Sequence, residues 1–229
     1  MNNNEYKFND REALIDSLSK EIIDKLEKAI SQKGKATLLV SGGSTPKPLF
    51  EKLSSLNIPW DKVVIALCDE RWVNSDHKDS NEKFVKENLL INNAKNATFI
   101  SMYQKNTKIV DAEEICSDIY TKELFPFDIL ILGMGSDGHT ASLFPNNIKL
   151  KESFETEDKL CISMTPSDAL HERMSLTKKA ILSAKNIYLH FEGDEKLDVY
   201  KKVKNGVDCY DMPIASILND KKKIEVYYK

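Results

Sequence analysis

The sequence predicts an α/β protein built on a mostly parallel sheet with helices on both faces. Short apolar runs alternate with segments of helical spacing along almost the whole chain, the pattern of β-α-β units. Those runs are near-continuous in apolar residues, as expected of strands buried on both sides. The segments of most unusual composition each directly follow such a run, which places them at strand carboxyl ends, where open α/β sheets bind ligands.

The elements follow in order. Ile15, Leu18, Ile22, Leu26 and Ala29 form one stripe on a helix over 11–31, which Gly34 stops. "KATLLV" is a strand, followed by "SGGSTP" and a helix from Pro46. "KVVIAL" is a second strand, running into "CDERW". The polar loop "VNSDHKDS" leads to a helix over "NEKFVKENLL", and "ATFIS" is a short strand. "DAEEICSDIYTKEL" has helical spacing through Ile115, Ile119 and Leu124. "FDILIL" is the most hydrophobic strand. "KLCISM", "NIYLHF" and "IEVYY" are strands, with helices over "TKKAILSA" and "GDEKLDVYKKV" between them. No repeat or linker divides the chain, so one domain over 1–229 is expected.

Composition narrows the function classes. A net charge of -3 gives no global basic field for nucleic acid. Cys68, Cys116, Cys161 and Cys209 are widely spaced with no C-x-x-C pair, which argues against a disulfide framework or a structural zinc. "MNNNEYKFND" has no apolar leader, and no apolar run approaches about 18 residues. A cytoplasmic protein with no membrane partner is expected.

Three strand ends carry the candidate chemistry. "SGGSTP" offers backbone N–H groups, hydroxyls and a helix N-terminus to an anion; a glycine turn in which Ser44 or Thr45 caps the helix explains it equally well. "CDER" sets Asp69, Glu70 and Arg71 together, where one acid pairing with the arginine is an equally ordinary arrangement. "GMGSDGHTASLF" leaves its strand on glycines and presents Asp137 and His139. It matches G-x-G-x-x-G by letters but lacks the early β-α-β position of a dinucleotide fingerprint. No G-x-S-x-G elbow is present. Asp137 and His139 alone are too few for a metal, so no metal is expected. His77 and His171 fall in polar loops and His190 within a strand pattern, positions that more often serve structure than ligands.

Taken together, "VSGGSTPKPLFEKL", "DERWV", "SDHKDSN", "ILGMGSDGHTASLFP", "RMSLT" and "FEGDEK" resemble the 6-phosphogluconolactonase family, in the family's order and across most of the chain. The related glucosamine-6-phosphate deaminase/isomerase family shares G-x-G-x-D-G-H but follows it with a glutamate that supports the histidine, where this chain has "TASLFP". It also usually reads "DEY" where this chain reads "DER". A third alternative is a sugar-phosphate-sensing domain of the same fold. Such domains usually follow a helix-turn-helix, for which the roughly ten residues before the first helix leave no room.

The resemblance implies a Rossmann-like three-layer α/β/α fold and hydrolysis of 6-phospho-D-glucono-1,5-lactone to 6-phospho-D-gluconate, the second step of the oxidative pentose phosphate pathway. It implies no cofactor, a sugar phosphate lactone as the small-molecule partner, and a monomer or weak homodimer. A δ-lactone is an activated ester, so one positioned water and one base suffice. His139 is assigned as the base, with Asp137 to orient its ring and Arg71 or backbone N–H groups to meet the developing oxyanion. Gly42, Gly43, Ser44, Thr45, Asp69 and Gly135 are expected to contact substrate. By match to the family's motifs, Arg173 and Lys196 add charge for the phosphate.

Overall fold

A computed structural model describes residues 3–166 and 170–229. In chain order its elements are β1 (Asn4–Lys7), α1 (Arg11–Lys33), β2 (Ala36–Val40), α2 (Lys47–Ser55), β3 (Val63–Leu67), β4 (Asp69–Arg71), α3 (Asn81–Asn88), β5 (Thr98–Phe99) and α4 (Ala112–Glu123). They continue with β6 (Ile129–Leu132), α5 (Leu150–Glu155), β7 (Cys161–Met164), β8 (Arg173–Leu176), α6 (Lys178–Ser183), β9 (Asn186–Phe191), α7 (Asp194–Lys204), α8 (Ala215–Leu218) and β10 (Glu225–Tyr228). No helix among the described residues is long and apolar enough to cross a membrane.

Seven strands form one sheet in the order β1-β10-β9-β6-β2-β3-β5, and every pairing in it is parallel. Alternate residues feed opposite faces, as the pleat requires. Leu39, Ala66, Leu130, Leu132 and Leu189 point into one apolar cluster. Leu38, Val40, Ile65, Ile131 and Tyr188 point into the other. Helices α1, α2 and α3 close the second cluster, and α4, α6 and α7 close the first. This is the three-layer α/β/α arrangement that the sequence predicts.

The long first helix shows how local chemistry sets an element's limits. The Asp10 side chain accepts from the Ala13 N–H at 2.8 Å, and Gly34, left-handed at φ 80°, donates its N–H to the Ile30 carbonyl.

The structure departs from the sequence reading in three places. "KLCISM" is a strand but lies outside the parallel sheet, in a small antiparallel sheet of order β4-β8-β7. The connection from β7 to β8 is too short for a crossover helix, so the two must pair antiparallel. "NEYK", within the polar start of the chain, forms the edge strand β1; Asn4 donates to the Glu225 carboxylate and Tyr6 stacks on Tyr227 at 4.5 Å. The buried face of α4 is Ala112, Glu113, Cys116, Ser117 and Tyr120, while Ile115 is 41% exposed. Apolar spacing misplaced that face because a carboxylate occupies it.

That carboxylate, Glu113, is a hub. It takes Lys149 Nζ at 2.6 Å, Lys159 Nζ at 2.7 Å, and both the hydroxyl and N–H of Ser163. Burial raises its pKa, but these donors outweigh burial and hold it at about 2, below its ordinary 4.5. A folded value below the unfolded one means stability present above pH 4.5 and lost as pH falls towards about 2. Glu113→Gln is therefore expected to cost about 2–3 kcal/mol at neutral pH. The gap from the parent should shrink on acidification towards pH 2, as read by urea unfolding at both pH values. A gap independent of pH would show that the ion pairs contribute nothing.

Candidate active site

The order in which strands are added to the sheet reverses between β2 and β6. From β2 the chain builds outward to β3 and β5, then returns to place β6 on the other side of β2. The crevice at such a switch point is the expected ligand site, and the loops after β2 and β6 flank it. A cleft of about 260 Å³ opens there, lined by Gly42, Gly43, Ser44, Thr45, Asp69, Arg71, Asn81, Gly135, His139 and Lys196, among others.

The loop after β6 is tied into a tight ring. The Gly135 N–H donates to the His139 carbonyl at 2.9 Å, the Gly138 N–H to the Gly135 carbonyl, and the Thr140 hydroxyl to the Gly133 carbonyl. Within this ring Asp137 Oδ1 receives both the His139 N–H, at 3.0 Å, and the His139 ring at Nδ1, at 2.6 Å. Burial pushes the Asp137 carboxyl up, but the contacts with His139 prevail and hold it below its ordinary value. A carboxylate on Nδ1 fixes the proton there and leaves Nε2 as the acceptor. Nε2 makes no hydrogen bond to any described residue, and the ring rests on Phe144 with centroids 5.0 Å apart. A Cβ at Gly135 would overlap Nδ1 and Cε1 of His139 and lie 2.5 Å from Asp137 Oδ1. Glycine is therefore required for the pair to exist.

The loop after β2 faces the pair across the cleft. Neither Ser44 nor Thr45 caps α2, whose first turn has no side-chain cap. The capping alternative is thus excluded, and the loop keeps hydroxyls and N–H groups for another partner. Thr45 Oγ1 instead accepts from Lys196 Nζ at 3.2 Å. Lys196 comes from α7, and burial lowers its pKa against the opposing effect of Glu192. Gly43 is left-handed at φ 103°. A Cβ at Gly42 would strike the Asn81 side chain.

The "CDER" residues separate into distinct tasks. Asp69 is buried and accepts from the Ser142 hydroxyl at 2.6 Å. Glu70 does not pair with the Arg71 side chain. Its carboxylate takes the N–H groups of Arg71, Asn81 and Glu82 and the Ser80 hydroxyl, seating the N-terminus of α3. Burial pushes its pKa up to about 7 in spite of these donors. Arg71 is thereby free to reach the Asp79 carbonyl, at 2.6 Å from Nη1, beside the cleft.

Arg173 stands directly opposite Arg71 in the β4–β8 pair. It does not line the cleft itself. Its Nη1 is buried with no hydrogen-bond partner among the described residues. Burial, and then the neighbouring Arg71 charge, lower its pKa. Sequence reasoning missed Asn81, which lines the cleft and donates to the Asp69 carbonyl at 2.8 Å, and Ser142, which holds Asp69. Both fall inside the motif segments already noted.

The profile of the family described as glucosamine-6-phosphate isomerases/6-phosphogluconolactonase matches residues 9–226. The chain belongs to this family. Curated relatives within it include the 6-phosphogluconolactonase of Pseudomonas putida, 35% identical over 97% of this chain and 91% of the relative. That of Helicobacter pylori strain 26695 is 38% identical over 87% and 86%. Among solved structures of the family, the 6-phosphogluconolactonase of Shewanella baltica superposes with a TM-score of 0.95 at 39% identity, covering 99% of this chain and 97% of that one. The Thermotoga maritima enzyme superposes at 0.84 with 27% identity, covering 99% of each chain.

Proposed function

We propose that this chain is a carboxylic ester hydrolase that opens 6-phospho-D-glucono-1,5-lactone to 6-phospho-D-gluconate, working in the cytoplasm as a monomer or weak homodimer. The observation that carries the reading is the Asp137–His139 pair, which leaves Nε2 open at the sheet's switch point, in a chain whose curated relatives bear the lactonase name.

In this mechanism His139 Nε2 takes a proton from water as its oxygen attacks the lactone carbonyl carbon. Asp137 stabilises the imidazolium that forms. Negative charge moves to the carbonyl oxygen, where Arg71 or a glycine-loop N–H compensates it. The tetrahedral species collapses, the bond from carbon to ring oxygen breaks, and His139 returns its proton to that oxygen. Gly43, Ser44 and Thr45 with Lys196 receive the phosphate, and Arg173, whose Nη1 has no hydrogen-bond partner among the described residues, adds charge beside Arg71. The support for these roles is the shared cleft, the uncapped α2 terminus and the orphaned Nη1.

The test is turnover of freshly generated lactone set against glucosamine 6-phosphate. Lactone opening well above the spontaneous rate, without ammonia release, is expected. Ammonia release without faster lactone opening would make the chain an amino-sugar isomerase, and binding without turnover would make it a sensor. Arg173→Ala is expected to lower kcat/KM for the phosphorylated lactone by about 10–100-fold, the worth of one charged hydrogen bond, and to leave the unphosphorylated lactone almost untouched. Equal losses on both would place Arg173 outside the phosphate site.

A further inference from the structure

His77 and Asp79 are two residues apart and His171 follows Asp79 by 92, yet the fold gathers the three together. Each offers one ligand atom, and the three atoms lie within 4.8 Å of one another. Asp79 Oδ2 is 3.0 Å from His171 Nε2 and 3.8 Å from His77 Nδ1. The rings stand edge to face at 5.4 Å.

We propose that these three side chains form a site for a divalent transition metal of the zinc class, separate from the hydrolytic pair and independent of the lactonase reading. Two imidazoles and a carboxylate are a donor set that such ions favour over calcium or magnesium. Metal–ligand bonds of about 2.0–2.2 Å in a tetrahedron need donors about 3.4 Å apart, and the two measured separations bracket that spacing. The third lies within 4.8 Å, and the side chains have room to adjust: they are 24–40% exposed. His77 Nδ1 accepts the Asp79 N–H at 3.1 Å, a bond it must give up to turn its lone pair towards an ion. His171 Nε2, 3.0 Å from Asp79 Oδ2, must present its lone pair to bind, which leaves the ring proton on Nδ1. One or more water molecules complete the coordination.

The site reaches the cleft through one residue. The carbonyl of Asp79 holds Arg71 Nη1, and His171 lies two residues before Arg173. An ion would pin the 73–80 loop to the start of β8 and so fix the segment that positions both arginines. It supplies no group to the reacting atoms.

The experiment is calorimetric titration of the chelator-treated, full-length protein with Zn²⁺, and with Co²⁺ followed by its visible absorption. One ion per chain is expected, with tetrahedral Co²⁺ bands and a rise in Tm. His77→Ala and His171→Ala should each weaken binding by at least about tenfold while remaining folded and active without metal. His139→Asn should bind as the parent does. Unchanged binding in the first two variants, loss of binding in the third, or no binding by the parent would each overturn the site. Loss of lactone hydrolysis on chelation, restored by zinc, would overturn its separation from the chemistry.

Discussion

His139→Asn is expected to lower kcat for lactone opening by roughly 10²–10⁴-fold. Asparagine keeps polarity and approximate size but has no lone-pair nitrogen able to take a proton from water. The fold should be indifferent to the change, since the ring is partly exposed and its ties are to its own loop and to Phe144. Some acceleration should survive through substrate positioning and oxyanion contacts. The low-pH decline that a histidine base imposes on kcat/KM should vanish with it. Spontaneous lactone opening rises with pH and has to be subtracted at every point. A folded variant with parental kcat would remove His139 from the chemistry and leave Asp69 or Asp137 as the next base to test.

The second large effect is expected from a residue that touches no substrate proton. Gly135→Ala inserts one methyl group where the His139 ring and the Asp137 carboxylate meet. The nearest atoms are the tips of two side chains, which can swing aside, so stability should hold while the pair separates. Misplacing a base by about an ångström costs on the order of 10²-fold, and kcat should fall by that much with KM and Tm nearly unchanged. If activity persists, the contact between Asp137 and His139 is dispensable. If Tm collapses instead, the glycine serves folding rather than catalysis.

Both residues were legible in the sequence, because glycines, an acid and a histidine after the most hydrophobic strand form a local pattern. The layers were legible for the same reason. Strands such as β2, β3 and β6 are buried on both faces, and α1 shows a full stripe with a cap at each end. What escaped was set by distant partners. β4 and β8 are three and four residues long and polar at their functional ends, so nothing in their composition announces a sheet. The buried face of α4 is organised by Glu113, whose lysines come from 149 and 159. Arg173 was found through its motif, but only the β4–β8 register sets it against Arg71. The gathering of His77, Asp79 and His171 depends on the same small sheet and cannot be read from spacing.

That register has a consequence for how the protein responds to its medium. Two guanidinium groups are held side by side by backbone pairing rather than by attraction. Dissolved ions damp such a repulsion over about 8–10 Å at ordinary ionic strength, and they damp equally the pull of the two groups on an incoming dianion. Added salt should therefore act in opposite senses on the two halves of the working cycle, relaxing the empty protein and loosening the loaded one. Asp69, Glu70 and Asp79 already offset part of this positive charge, and a phosphate bound where we propose would offset more of it.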